Sequence, residues 1–338
     1  MYSGYFSIYF IILSLAIVLC YHVFIPYLKK LKFGQNVRSD GPRTHYKKNG
    51  TPTMGGILIL VTFLITFLSL IIVMKIKFDL SVILGDLILL IIPLFGYSFI
   101  GFLDDYLIIL KKNNDGLKPK YKLLLELLIS LIFYTIYIFM GYDTSVNLFT
   151  NEVDLKFLFG PLIILMFVST TNSTNLTDGL DGLLTVSTIP VIIGFLTLGI
   201  VKNNYIVILS SIAMLIALLS FLFFNFPKAT IFMGDTGSLL IGAYVCVCSI
   251  LLKAELLLLV FGFVYILETL SVILQVTYFK ITKGKRIFKM TPIHHHLELS
   301  GFSDIKINLI FFFLSTLFVM IGLLWELIIK WLFYMVMV

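Results

Sequence analysis

Long apolar runs separated by short polar segments make up most of this chain. A helix needs about 17–25 predominantly apolar residues to cross the hydrocarbon core of a bilayer. Ten runs approach or exceed that length: 4–27, 55–74, 84–103, 122–140, 157–172, 183–200, 204–224, 237–253, 255–280 and 307–329. No fixed-period repeat and no low-complexity linker divides them, so residues 1–338 read as a single polytopic, all-α membrane domain of about ten transmembrane helices. The segment 141–156 is the one longer connection on its side, expected as a small hairpin or surface helix.

Composition reinforces this pattern. The 338 residues are 59% hydrophobic with a mean hydropathy of +1.06, whereas soluble domains are roughly 45–50% apolar. Water-soluble single-domain classes are thereby excluded. The three cysteines, Cys20, Cys246 and Cys248, lie inside apolar runs and form no disulfide framework. The first run lacks a basic leader and a small-residue cleavage site, which is the pattern of a retained helix.

Charge orients the chain. Of the 25 Lys and Arg residues, seven fall in 28–54, five in 104–122, one in 225–236 and six in 280–306. These are alternate connections, so the positive-inside rule puts them in the cytosol and both termini outside. In this setting the net charge of +7 points to acidic phospholipid and phosphorylated substrates rather than to nucleic acid.

The same arithmetic gathers the chemically active residues on the cytosolic face. Asn172 to Gly182, N-S-T-N-L-T-D-G-L-D-G, is a polar island without Lys or Arg between two apolar runs. Asp178 and Asp181 within it would each cost about 2.5–3.5 kcal/mol at the bilayer centre, so they belong at an interface. Asp104 and Asp105 close the third run. Two carboxylates about 5 Å apart repel by roughly 3 kcal/mol at an effective dielectric near 20, which calls for a divalent cation or a lysine such as Lys122. A plain helix-terminal pair is the alternative.

Phe232-Met-Gly-Asp235-Thr-Gly-Ser opens the eighth run, where glycines and a helix start favour an anionic ligand. Asp235 could equally be a simple N-cap. No Gly-Lys-Ser/Thr follows, so this is no Walker A loop. The Asp-Thr-Gly-Ser string imitates aspartic proteases, but that signature belongs to a paired β-fold. Three consecutive histidines, His294, His295 and His296, diverge too much to share one metal ion. An imidazole facing phosphate, with Glu298 setting its tautomer, suits them better. Glu268 and Gln275 in the ninth run should face the bundle interior, and Glu126 has Lys122 one turn back as a partner. Five Asp, a His cluster and flanking Lys on one face suit Mg²⁺ and polyphosphate far better than Zn²⁺. A secondary transporter using intramembrane carboxylates would need charges at the midplane and paired halves; neither shows here.

The motifs His45-x-x-Lys48-x-Gly-Thr-Pro-Thr53-Met-Gly-Gly, Gly101-Phe-x-Asp-Asp105, Asn172-x-x-Asn175-x-Thr-Asp178-Gly-Leu-Asp181-Gly, Asn225, Phe232-Met-Gly-Asp235-Thr-Gly-Ser and Pro292-x-His-His-His-x-Glu298 stand in that order. With them the chain resembles the polyprenyl-phosphate N-acetylhexosamine-1-phosphate transferases over nearly its whole length. The His-His-His-x-Glu and Thr-Pro-Thr-Met-Gly-Gly stretches point to the branch that transfers phospho-N-acetylmuramoyl-pentapeptide, rather than to the N-acetylglucosamine phosphate branches. The resemblance implies a ten-helix enzyme of the bacterial inner (cytoplasmic) membrane, a homodimer. It would use UDP-MurNAc-pentapeptide and undecaprenyl phosphate to form lipid I and UMP, the first membrane step of peptidoglycan synthesis. It further implies Asp235 as the Mg²⁺ ligand, with Asp104, Asp105 and His295 at the reacting centre. Lys122, Asn172, Asn175, Asp178 and Asp181 would line the uridine and diphosphate pocket, with Phe232 stacked on uracil. Lys48, Thr53, Asn225, Gly234, Gln275, His294 and His296 would complete the substrate-binding set. In this family the ninth helix is bent and shapes a lipid groove. Leu107 to Leu110 stand where relatives often carry a lysine, the one departure.

Overall fold

The computed structural model describes residues 2–30, 50–78, 83–111, 116–148 and 151–337. Lys48 and His45 lie outside the described residues. The helices are α1 (Tyr2–Lys30), α2 (Gly56–Phe78), α3 (Leu84–Lys111), α4 (Pro119–Phe139), α5 (Phe159–Thr177), α6 (Leu183–Lys202), α7 (Tyr205–Asn225), α8 (Gly234–Leu251), α9 (Glu255–Phe261), α10 (Phe263–Ile281), α11 (Ile293–Glu298) and α12 (Asp304–Met337). Among the described residues, nine helices (α2 to α8, α10 and α12) are long and apolar enough to cross a membrane. The 29-residue α1 coincides with the first predicted run. The chain is an all-α integral membrane protein.

The connection 141–156 contains an antiparallel hairpin of β1 (Ser145–Leu148) and β2 (Asn151–Asp154), with Ser145 opposite Asp154 and Leu148 opposite Asn151. Lys253 Nζ donates to the Ser145 carbonyl at 3.0 Å and so pins the hairpin to the turn between α8 and α9.

Helix α8 is the axis of the bundle: 83% of its apolar window is buried, against 22% for α4 at the periphery. It packs on α3, α5, α2 and α6. Gly56 on α2 and Gly101 on α3 allow the closest of these approaches; a β-carbon at Gly56 would lie 2.1 Å from the Gly237 nitrogen. A β-carbon at Gly101 would lie 2.2 Å from the Asp235 carbonyl oxygen, so α3 and the first turn of α8 meet backbone to backbone.

Several boundaries differ from the sequence expectation: α5 extends past 172 to Thr177, and α12 past 329 to Met337. The third run does not close at Asp104–Asp105; α3 continues to Lys111, which overturns the helix-terminal reading of that pair. The run 255–280 is broken at Gly262, whose φ of −84° and ψ of 12° leave the α-helical region and separate α9 from α10.

Candidate active site

Asp235 occupies the first turn of α8. Its Oδ2 lies 2.6 Å from Lys122 Nζ on α4, and its Oδ1 accepts from Asn175 Nδ2 on α5 at 2.8 Å. The same amide donates to Ser238 Oγ at 2.9 Å, so α5 is registered against the first turn of α8. Asp235 is not the cap of its own helix. That role falls to Asp105 on α3, whose carboxylate accepts from the Asp235 N–H at 3.1 Å, the Thr236 N–H at 3.0 Å and the Thr236 hydroxyl at 2.6 Å. A carboxylate on exposed helical N–H groups is favoured by both hydrogen bonding and the helix dipole.

Asp104 and Asp105 therefore part company. Consecutive residues on a helix leave its axis about 100° apart, and Asp104 turns to accept from the Leu117 N–H at 2.8 Å. The pair is not a shared cation clamp. Asp105 faces the start of α8, and Asp104 faces the segment ahead of α4.

Asp178, just beyond the last turn of α5, is half-buried, and its backbone N–H donates to the Asn175 carbonyl at 3.3 Å. Burial, with the negative charges of Asp235, Asp105 and Asp181, pushes its carboxyl well above the usual value near 3.8. Asp181 is engaged differently: its Oδ2 accepts from the Ala229 N–H at 3.0 Å. Asn225 ties the same two segments together, accepting from the Gly182 N–H and donating to the Ile231 carbonyl, both at 2.9 Å.

The segment before α2 braces the start of α8. Phe232 N–H donates to the Pro52 carbonyl at 2.8 Å, and the Gly55 and Gly56 N–H groups donate to Phe232 and Met233, both at 2.9 Å. Thr53 is buried within this brace, and Gly234 opens α8 beside Thr53 and Asp105. Phe232 is half-exposed, with a face available to a ligand.

The histidine loop is no solvated appendage. His294 is fully buried with Nδ1 3.0 Å from Glu268 Oε1, itself fully buried on α10. It presses on the polar island, where a β-carbon at Gly179 would sit 2.1 Å from His294 Nε2; only glycine fits. His294 thus supports the island from within rather than facing an open phosphate. His295 has Glu298 at 3.2 Å, the partner expected for one of the imidazoles, and His296 Nδ1 accepts from the Lys289 N–H at 3.1 Å. Gln275 is likewise engaged by protein: its Oε1 accepts from the N–H groups of Ile287 at 2.9 Å and Phe288 at 3.0 Å.

The pattern of the family described as Glycosyl transferase family 4 matches residues 87–253, which include Asp104, Asp178 and Asp235. The Phospho-N-acetylmuramoyl-pentapeptide-transferase signature 1 matches residues 48–60, the brace just described. A protein of Bacillus cytotoxicus named phospho-N-acetylmuramoyl-pentapeptide-transferase is 44% identical over 304 residues, 89% of this chain and 91% of the relative. Proteins of the same name from Bacillus licheniformis and Bacillus subtilis are 44% and 42% identical over 308 residues, each covering 90% of this chain and 93% of the relative. The chain belongs to the phospho-N-acetylmuramoyl-pentapeptide transferase family.

Two carboxylates of this transferase were legible in sequence only as polar interruptions of apolar helices. Glu126 does not pair with Lys122 as its spacing suggests. It accepts from Asn172 Nδ2 at 2.7 Å, while Lys122 turns to Asp235. Glu268 lies beneath the histidine loop, and no pattern in sequence links it to a residue so far away. As for metal, no three His, Cys, Asp or Glu side chains converge on one point among the described residues. Mg²⁺ commonly takes only one or two carboxylates and completes its shell with water and phosphate oxygens. Asp235, with 24% of its side chain exposed and the charges of Asp104, Asp105 and Asp178 bearing on the same locus, fits that requirement.

Proposed function

We propose that this transferase moves phospho-MurNAc-pentapeptide from UDP-MurNAc-pentapeptide to undecaprenyl phosphate, yielding UMP and lipid I, with Mg²⁺ at Asp235. The distribution of Lys and Arg supports a site on the cytosolic face of a bacterial inner membrane, and the resemblance supports a homodimer. One observation carries the reading. The stretch that bears the family signature, residues 48–60, hydrogen-bonds through Gly55 and Gly56 to the segment that presents Asp235.

In the direct route an oxygen of the lipid phosphate attacks the phosphorus that carries the sugar. In the two-step route a carboxylate of Asp104 or Asp105 attacks it first, and the lipid phosphate then displaces that carboxylate. The bond from that phosphorus to the bridging oxygen breaks, and UMP leaves with the electron pair. Such transfers require mainly positioning and neutralisation of charge. Mg²⁺, when bound, supplies charge stabilisation to the diphosphate and the departing UMP. Lys122 adds a cation beside Asp235, and Asn175 fixes that carboxylate. Asp105 accepts three hydrogen bonds as a helix cap and Asp104 one from the Leu117 N–H, so Asp104 is the less committed member of the pair to accept a proton from the lipid phosphate or to act as a nucleophile.

The test is UMP release by purified protein from UDP-MurNAc-pentapeptide and undecaprenyl phosphate, with and without Mg²⁺, beside Asp235→Ala. Release that needs both lipid and Mg²⁺ and is lost in the variant supports the reading. Release with UDP-N-acetylglucosamine alone would overturn the donor assignment.

A further inference from the structure

Glu126 is a buried carboxylate that the proposed reaction leaves without a role. Its side chain is 1% exposed in the second turn of α4, and Oε2 accepts from Asn172. The other oxygen, Oε1, is buried without any hydrogen-bond partner. An unsatisfied buried carboxylate oxygen is costly, and such an atom asks for a donor that arrives at another stage. Lys122 lies one turn away on the same helix, at the i,i+4 spacing that brings side chains together. In the present arrangement its ammonium rests on Asp235 at 2.6 Å. A divalent cation on Asp235 would repel it from there.

We propose that Glu126 is the second station of Lys122: the ammonium holds Asp235 while the site is empty and swings to Glu126 Oε1 when a divalent cation takes its place. The inference rests on Asp235 as the metal-binding carboxylate. It makes Lys122 a stand-in cation that keeps the carboxylates from repelling one another between turnovers, and it makes Glu126 a positioning residue acting through Lys122.

Mn²⁺ binding to the purified full chain, read by electron paramagnetic resonance without substrate, tests this. Glu126→Gln keeps an acceptor for Asn172 but removes the charge that receives Lys122, and Mn²⁺ binding should weaken about tenfold. A simple field effect of the lost charge would weaken it equally in a Lys122→Met background. The proposal requires that in that background Glu126→Gln changes little. Equal weakening in both backgrounds, or none in either, overturns it. Asp235→Asn separates the underlying reading: Mn²⁺ bound as well as by the unaltered chain would overturn the metal assignment and the swing with it.

A second measurement needs no variant. Lys122, 15% exposed on Asp235, should become less reactive to a water-soluble amine reagent when Mn²⁺ is added, because Glu126 is buried. Unchanged or increased labelling would overturn the proposal.

Discussion

Replacing Asp105 by Asn separates a structural from a chemical role for the Asp-Asp motif. The Asp105 carboxylate satisfies three donors at the start of α8: two backbone N–H groups and the Thr236 hydroxyl. An asparagine retains one acceptor oxygen and turns an amide NH₂ toward donors that had an acceptor. Leaving a buried donor unmet costs about 1–3 kcal/mol, and loss of the carboxylate charge at a helix start costs about 0.3–1 kcal/mol more. A total near 2–3 kcal/mol follows. With unfolding entropy of about 2.1 cal/mol/K per residue, the 338-residue chain has roughly 0.7 kcal/mol/K, so the midpoint should fall by about 3–4 °C. The assay is thermal unfolding in detergent at a fixed scan rate, beside UMP release. Because α8 carries Asp235, activity should fall together with stability. An unfolding midpoint unchanged to within 1 °C, with activity abolished, would refute the cap argument and return Asp105 to a purely chemical role.

Gly179→Ala forces a β-carbon into the space 2.1 Å from His294 Nε2, and overpacking of this kind costs about 1–3 kcal/mol. UMP release should drop at least tenfold and the unfolding midpoint should fall by a few degrees; a midpoint unchanged to within 1 °C would show that the contact yields without cost. Asp178 supplies a pH dependence. Its carboxyl stays protonated in the fold above the pH where the unfolded chain ionises, so the folded state binds the extra proton and stability falls as pH rises from about 4. It goes on falling until the raised value is passed. Asp178→Asn should flatten the midpoint-against-pH curve above pH 4, and superimposable curves would contradict this. Gln275→Ala removes the acceptor for Ile287 and Phe288 and should speed tryptic cleavage between Lys283 and Lys289, while the α-helical circular dichroism signal is retained; an unchanged cleavage rate would argue that the loop is held elsewhere.

Most of the membrane architecture was legible because hydrophobic runs of crossing length have little choice of structure. The run 157–172 is expected to end where the polar island begins, but α5 continues to Thr177, because Ser and Thr hydroxyls there bond back to carbonyls of the same helix, as Thr174 and Thr177 do. What the pattern could not reveal is where side chains within a motif point. Asp104 and Asp105 are neighbours in sequence and read as one unit, yet helix geometry sends one to Leu117 and the other to Thr236. Lys122 and Glu126 have the spacing of an ion pair, but the charge on Asp235 competes from a helix more than a hundred residues away. Local spacing loses whenever a distant segment offers a better partner. The His294–Glu268 contact is hidden for the same reason: neither residue carries any local sign of the other.

These contacts also explain why so many carboxylates can gather around Asp235 without pushing the helices apart. Asp105 caps the N-terminus of α8, Asp181 binds the Ala229 N–H, Asp104 binds the Leu117 N–H, and burial with neighbouring negative charge favours the protonated form of Asp178. Asp235, half-buried, is left as the carboxylate on which Lys122 rests. Such a site holds most of its negative charge in fixed hydrogen bonds and leaves one carboxylate free to exchange partners. On the proposed function, a divalent ion arriving with a diphosphate would have to displace only one lysine, while the scaffold beneath stays as it is. Among these carboxylates Asp235 is held by side chains alone, Lys122 and Asn175, whereas Asp104 and Asp181 are held by backbone N–H groups and Asp105 by backbone N–H groups and the Thr236 hydroxyl.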